Sequence, residues 1–191
     1  MNIFILNDDP VVAAQEQCDK HVVKMIVESA QMLSTAHRMI DGVIEKRPSK
    51  SGKTTVSYYK LLDEREDILY KAVHFNHPCS VWSRESCCNY SWHYEHFIAL
   101  CEEYTYRYGK VHSTETKLRD ILSKLPKNIN RVGGMTPFKL ALKSNPECVV
   151  HGLGGTDAVA TYRNFYQTKQ KRFKMEWTKR PVPGWFKYAN V

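Results

Sequence analysis

The chain opens on a short apolar run, Ile3 to Leu6, which Asn7-Asp8-Asp9 cuts off before Pro10. An acidic cap followed by proline is how helices start. The run therefore reads as a strand or an extended arm leading into a helix. No Gly or Pro intervenes from Val11 until Gly42, which predicts one helix to about Ile44 or two broken near Gln17. Val23, Ile26, Ala30, Leu33 and His37 recur at helical spacing and predict a buried stripe. Beside it runs a second stripe at the same spacing, His21, Lys24, Glu28, Gln31 and Thr35, polar throughout. A carboxylate inside a mostly apolar helix is costly to bury unless paired. This second stripe is either an ion-paired edge facing water or the lining of a cleft.

Residues 45 to 57 are polar and broken by Pro48 and Gly52, which predicts a loop. Its Ser-Gly-Lys-Thr-Thr resembles the end of a phosphate-binding P-loop, but that motif needs Gly at position 47, where Arg stands. Tyr58 to Ala72 reads as helical, Asn76-His77-Pro78 as a turn, and Ser80 to Tyr108 as a second long helix ended by Gly109. Val81, Cys88, Trp92 and Ala99 suggest its packed side. Arg84, Glu85, Asn89, His93 and His96 lie on adjoining faces, where Arg84, Glu85 and Asn89 form an interhelix network or a second wall of the cleft. A third helix runs from about Thr114 to Leu125 and stops at Pro126. The stretch from Pro126 to Gly155 is irregular. Its Gly152-Leu153-Gly154-Gly155 fails the dinucleotide pattern at Asp157, and no strand-helix repeat surrounds it. Thr156 is placed to cap a last helix to about Phe173, before an aromatic tail from Trp177 to Val191. The pattern predicts one all-α domain over 1–191, a compact bundle of about four to six helices with an N-terminal arm.

Charge changes this picture. The chain carries 28 Lys+Arg against 20 Asp+Glu, a net +8. From Thr161 to Val191 eight cations face Glu176 alone, so residues 161–191 form a basic helix and tail carrying +7. A basic, aromatic segment suits a polyanion such as nucleic acid. With 42% apolar residues the chain is neither disordered nor fibrous. No run is long and apolar enough to span a membrane, and the six cysteines form no C-x-x-C pair. A soluble, cytoplasmic protein without membrane, metal or cofactor is expected. The nearest metal clusters, His74/His77/Cys79 and His93/His96/Cys101, lack paired ligand spacing.

Asp19-Lys20-His21 with Glu28 seven residues beyond the histidine, an apolar N-terminal arm, and Arg180-Pro181 ahead of Trp185-Phe186-Lys187-Tyr188 resemble the phage pyrimidine-dimer DNA glycosylases of the endonuclease V type. Cys18 to Thr35 and Trp82 to Ser86 are also similar to uncharacterised tailed-phage proteins. The resemblance covers about a third of the chain. It implies an all-helical fold whose terminal amine attacks C1′ of a damaged nucleotide, expels the base and forms a Schiff base. An α-amine suits this because such amines are partly unprotonated at neutral pH. Carried over, Glu28 is the catalytic carboxylate and His21 shares its site. Asn2 replaces the family's small second residue, so Met1 is expected to stay; either its amine serves, with Asn2 beside it, or the protein does no lyase chemistry. Asp19 and Lys24 accompany them, and Arg180, Trp185, Lys187 and Tyr188 become a DNA-contacting tail. The implied partner is damaged or modified double-stranded DNA in the cytoplasm of an infected host cell. Two other readings stay open: a protein acting on free nucleotides or nucleotide signals, and a non-catalytic DNA-binding module.

Overall fold

The computed structural model describes residues 1–142 and 144–189. The chain is 46% helical, with seven α-helices and two two-stranded sheets among the described residues. It is therefore mostly helical rather than all-α. Asp9 accepts from the Val11 and Val12 N–H groups at 2.8 and 3.1 Å and starts α1 (Pro10–Gln15), as the acidic cap and proline predict. The chain does break near Gln17, and α2 (Asp19–Asp41) follows. Ile26, Ala30, Leu33 and His37 are fully buried on α2, whereas Val23 is 39% exposed. The buried face is centred nearer Val22 and Ser29, which leaves Val23 at its rim.

The expected loop at 45–57 is instead a β-hairpin, β1 (Val43–Pro48) and β2 (Thr55–Lys60), in register from Val43 opposite Lys60 to Pro48 opposite Thr55. Gly52 turns its tip at φ +72°, a left-handed conformation that costs glycine nothing. Gly42 starts the hairpin because a Cβ there would meet the Arg38 carbonyl. The helix expected over Tyr58–Ala72 reduces to one turn, α3 (Arg65–Ile68). Extended backbone at Tyr59, Tyr70 and Leu69 lends carbonyls to the buried Arg38 instead.

The expected Ser80–Tyr108 helix is two, α4 (Pro78–Trp82) and α5 (Cys87–Tyr108). Ser86 restarts the helix by accepting from the Asn89 N–H at 3.2 Å, and Gly109 ends it at φ +65°. That restart rephases the faces: Cys88 is exposed, while His93 and His96 are fully buried. Next comes α6 (Ser113–Leu122), three residues short of its expected end at Leu125. A second small hairpin, β3 (His151–Gly152) and β4 (Gly155–Thr156), occupies the glycine cluster. Because Thr156 is in that ladder, Asp157 caps α7 (Ala158–Gln167), and a 3-10 turn continues from Thr168 to Lys171.

The N-terminal arm is core rather than strand. Ile3, Phe4, Ile5 and Leu6 are all buried. Phe4 takes φ +57°, a conformation costing a bulky residue about 1–3 kcal/mol. Burial of each large apolar side chain contributes about 1.5–3 kcal/mol, so the arm as a whole outweighs that strain. The C-terminal tail also folds back, with Trp177 and Phe186 buried. Among the described residues, no helix is long and apolar enough to cross a membrane.

Candidate functional site

Packing the arm against α2 brings the start of the chain to the polar stripe. The Met1 nitrogen lies 3.5 Å from Glu28 Oε2, and the Asn2 N–H donates to that same oxygen at 3.1 Å. Lys24 Nζ, one turn earlier on α2, sits 3.2 Å from Glu28 Oε1. The Asn2 side chain sets this geometry: its Oδ1 accepts from the Ile3 and Phe4 N–H groups at 2.9 and 3.3 Å. An Asn that closes such a local turn holds the next residues in place. Phe4, held at its positive φ, stacks on His21 with ring centroids 4.5 Å apart.

His21 is held neutral. Burial, reinforced by the Lys169 and Lys24 cations, pushes it down to about 3. The Tyr166 hydroxyl accepts from the Cys18 N–H at 2.9 Å and meets His21 Nδ1 at 2.7 Å. Either neutral tautomer of the His21 ring satisfies this bond, since the phenol both donates and accepts. Burial keeps that phenol protonated by raising it well above its ordinary value. His21 is thus a neutral imidazole.

These groups line a cavity of about 300 Å³ that also includes Phe165, Lys169, Arg172 and Phe173. Lys169 Nζ lies 3.5 Å from the Phe165 ring centroid, and burial, then Arg172 and Lys24, pushes its ammonium down to about 8. Neither Lys169 nor Arg172 has a side-chain hydrogen bond or ion pair among the described residues. A second cavity of about 460 Å³, bordered by His77, Pro78 and Leu142, shares Ala141, Phe165, Lys169 and Arg172 with the first. The two are compartments of one cleft in which cations outnumber the single carboxylate, Glu28. Such a cleft favours a phosphate-bearing ligand with a flat ring for the phenylalanines.

Of the residues named from the sequence, Met1, Asn2, His21, Lys24 and Glu28 come together here. Asp19 does not: it accepts from Arg107 Nη1 at 2.9 Å and from Thr178 Oγ1 at 2.7 Å. Arg107 and Arg180 both hold Glu103, so Asp19 and Arg180 anchor the tail in one ion-pair network. Arg84 donates to the Ser80 and Phe75 carbonyls. Glu85 and Asn89 hold Thr136, Glu85 Oε2 accepting from its hydroxyl and Asn89 Oδ1 from its N–H, at 2.8 and 2.9 Å. These three brace loops and line neither compartment. Trp185 packs behind Tyr166, while Lys187 and Tyr188 are exposed beyond it. Sequence reasoning missed Phe4, Phe165, Lys169, Arg172 and Phe173 as site residues. Among the described residues, no three His, Cys, Asp or Glu side chains are grouped to hold a metal ion.

Comparison with family models, with curated proteins and with solved structures finds no match to this chain.

Proposed function

We propose that the protein is a DNA glycosylase that excises a damaged or modified pyrimidine and, as a lyase, cuts the strand at the resulting abasic site. The reading rests on one observation, the meeting of Met1 and Asn2 with Glu28 in a cationic cleft lined by aromatic rings. An amine beside a carboxylate has a partner for the proton it must lose on attack.

In this reading the unprotonated amine bonds to C1′ as the bond from C1′ to the base breaks, and the base leaves with that electron pair and takes a proton from water. Glu28 accepts the proton shed by the amine and returns it to O4′ when the sugar ring opens to the iminium. The hydroxide left by the water that protonated the base takes a C2′ proton. The C2′–H electron pair forms a C2′–C3′ double bond as the C3′–O bond breaks and the 3′ phosphate leaves with its pair. A second water adds across the C1′–N bond, freeing the amine and leaving an aldehyde. Neutral His21 lines the site, and Lys169 and Arg172 hold phosphate. The target nucleotide leaves the base stack to reach them.

The test is incubation with duplexes carrying pyrimidine dimers, uracil, hydroxymethylated pyrimidines or abasic sites, with borohydride present. A trapped adduct with at least one of them is expected, and Glu28→Gln abolishes turnover while sparing DNA affinity. Absence of base release, strand cleavage and adduct on every substrate overturns the enzyme. A Glu28→Gln protein altered only in thermal stability would favour a non-catalytic DNA-binding module. One observation favours a second reading: the 460 Å³ compartment, with Phe165 beside Lys169 and Arg172, suits a free mononucleotide. Tight nucleotide binding without DNA binding would select it.

A further inference from the structure

Positive charge gathers in two places on this chain. One is the segment from Thr161 onward. The other is the hairpin, where residues 43–60 hold Lys46, Arg47, Lys50, Lys53 and Lys60 against Glu45 alone, a surplus of four. The two surpluses together exceed the net +8, so the rest of the body is net acidic by three. A concentration of this kind on one projecting element is not needed for overall solubility.

Nor do these cations serve the fold. Arg47 and Lys60 reach Glu45 at 2.6 and 3.5 Å, and Lys46 donates to Ser57 Oγ at 2.9 Å, all within the hairpin. Lys50 and Lys53, at the tip, have no side-chain hydrogen bond or ion pair among the described residues and are exposed. The hairpin is tied to the body only near its base: Arg38 Nη1 donates to the Tyr59 carbonyl at 3.1 Å, Tyr58 donates to Glu66, and Tyr59 meets Phe75 edge-on at 5.6 Å. Arg84 staples the Phe75 carbonyl at 2.7 Å, and two residues further His77 borders the cleft. The base of the ribbon is therefore joined, through Phe75, to the segment that borders the second compartment of the cleft.

We propose that the β1–β2 hairpin is a second nucleic-acid contact, a basic ribbon that grips the phosphate backbone of duplex DNA flanking the nucleotide held in the cleft. This rests on the glycosylase reading and adds a footprint to it. A two-stranded ribbon fits a DNA groove, and cations that neutralise phosphates contribute salt-dependent affinity. From Glu28 to Asp41 the helix rises about 20 Å. The strands add at most about 20 Å. The tip then lies within about 12 base pairs of the target nucleotide, at about 3.4 Å per step.

The test is duplex binding by the protein with Lys46→Gln, Lys50→Gln and Lys53→Gln combined, against the unsubstituted chain, over a range of salt. On a duplex of about 24 base pairs, affinity is expected to fall at least tenfold and the salt slope by about two to three. Lys50→Gln with Lys53→Gln, which removes only unpartnered side chains, gives the same direction with a smaller drop. Unchanged affinity and slope on the long duplex overturn the hairpin contact while leaving the cleft reading intact. Absence of salt-dependent duplex binding by the unsubstituted protein overturns both. Binding to phosphatidylserine vesicles with none to duplex overturns the proposal in favour of a membrane surface.

Discussion

The two ends of α2 both bury charge, and they do it differently. At one end the Arg38 guanidinium is fully committed. It donates to the Tyr59, Tyr70, Leu69 and Glu66 carbonyls and to the Glu66 carboxylate. Nearby Arg65 pairs with Asp41 and Asp63 and meets His37 Nδ1 at 3.0 Å. Around Glu28, two cations, Lys169 and Arg172, face open space without an acceptor among the described residues. A cavity of about 480 Å³, larger than either compartment of the cleft, lies at the Arg65 end, yet His37 and Arg65 in its wall are already satisfied. Size alone therefore misplaces the site. A closed network holds a fold together, and a cavity ringed by unpaired cations is poised for a ligand.

The largest expected effect acts on both ends at once. Burial pushes His21 down to about 3 and His37 and His96 to about 4. Unfolding lets each regain its ordinary value near 6.5, so the unfolded state binds more protons below that pH. The stabilisation is complete above about 6.5 and is lost as pH falls towards 4. Urea melts should show about 5 kcal/mol less stability at pH 5 than at pH 7 for the three together. Next, Arg38→Met takes from Glu66 its cation and from four carbonyls their guanidinium donor, and should cost about 3–5 kcal/mol, a Tm loss of about 10 °C. Glu28→Gln sharpens the contrast: its Tm stays close to that of the unsubstituted chain, while turnover falls at least about 100-fold. Equal thermal losses for these two variants would erase the distinction between the two ends.

Two smaller effects refine it. Asp19→Ala removes a partner from the fully buried Arg107 and frees Thr178, costing about 1–3 kcal/mol and loosening the tail by hydrogen exchange. Lys169→Met should leave the fold intact and weaken binding of a phosphate ester about tenfold. In the unsubstituted chain that affinity should fall as pH rises through about 8, where the Lys169 ammonium loses its proton, and calorimetry at pH 7 and 9 reads the change.

Local rules made part of this legible. Asp9-Pro10 marked a helix start, Gly109 an end, and the spacing of Ile26, Ala30, Leu33 and His37 marked a buried face. The polar stripe pointed correctly to His21, Lys24 and Glu28 as neighbours. The hairpin was hidden because none of its strand positions is buried and they carry no clean apolar alternation, so its lysines and serines look like a loop. The break at Ser83 to Ser86 was hidden because no Gly or Pro marks it. Lys169 and Arg172 looked like tail charge, since only the docking of α7 and the turn after it against the arm decides which lysines face Glu28. Asp19 and Arg180 failed for the converse reason: each has a charged partner far along the chain, Arg107 and Glu103, that spacing does not reveal.

The central claim is that the terminal amine and Glu28 form one reacting pair. Its most direct test is borohydride trapping on a lesion-bearing duplex followed by peptide mass mapping of the adduct. The expected result is a sugar fragment on the N-terminal residue, absent in Glu28→Gln and absent when the amine is blocked by reductive methylation. An adduct confined to a lysine, or undiminished in Glu28→Gln, would contradict it.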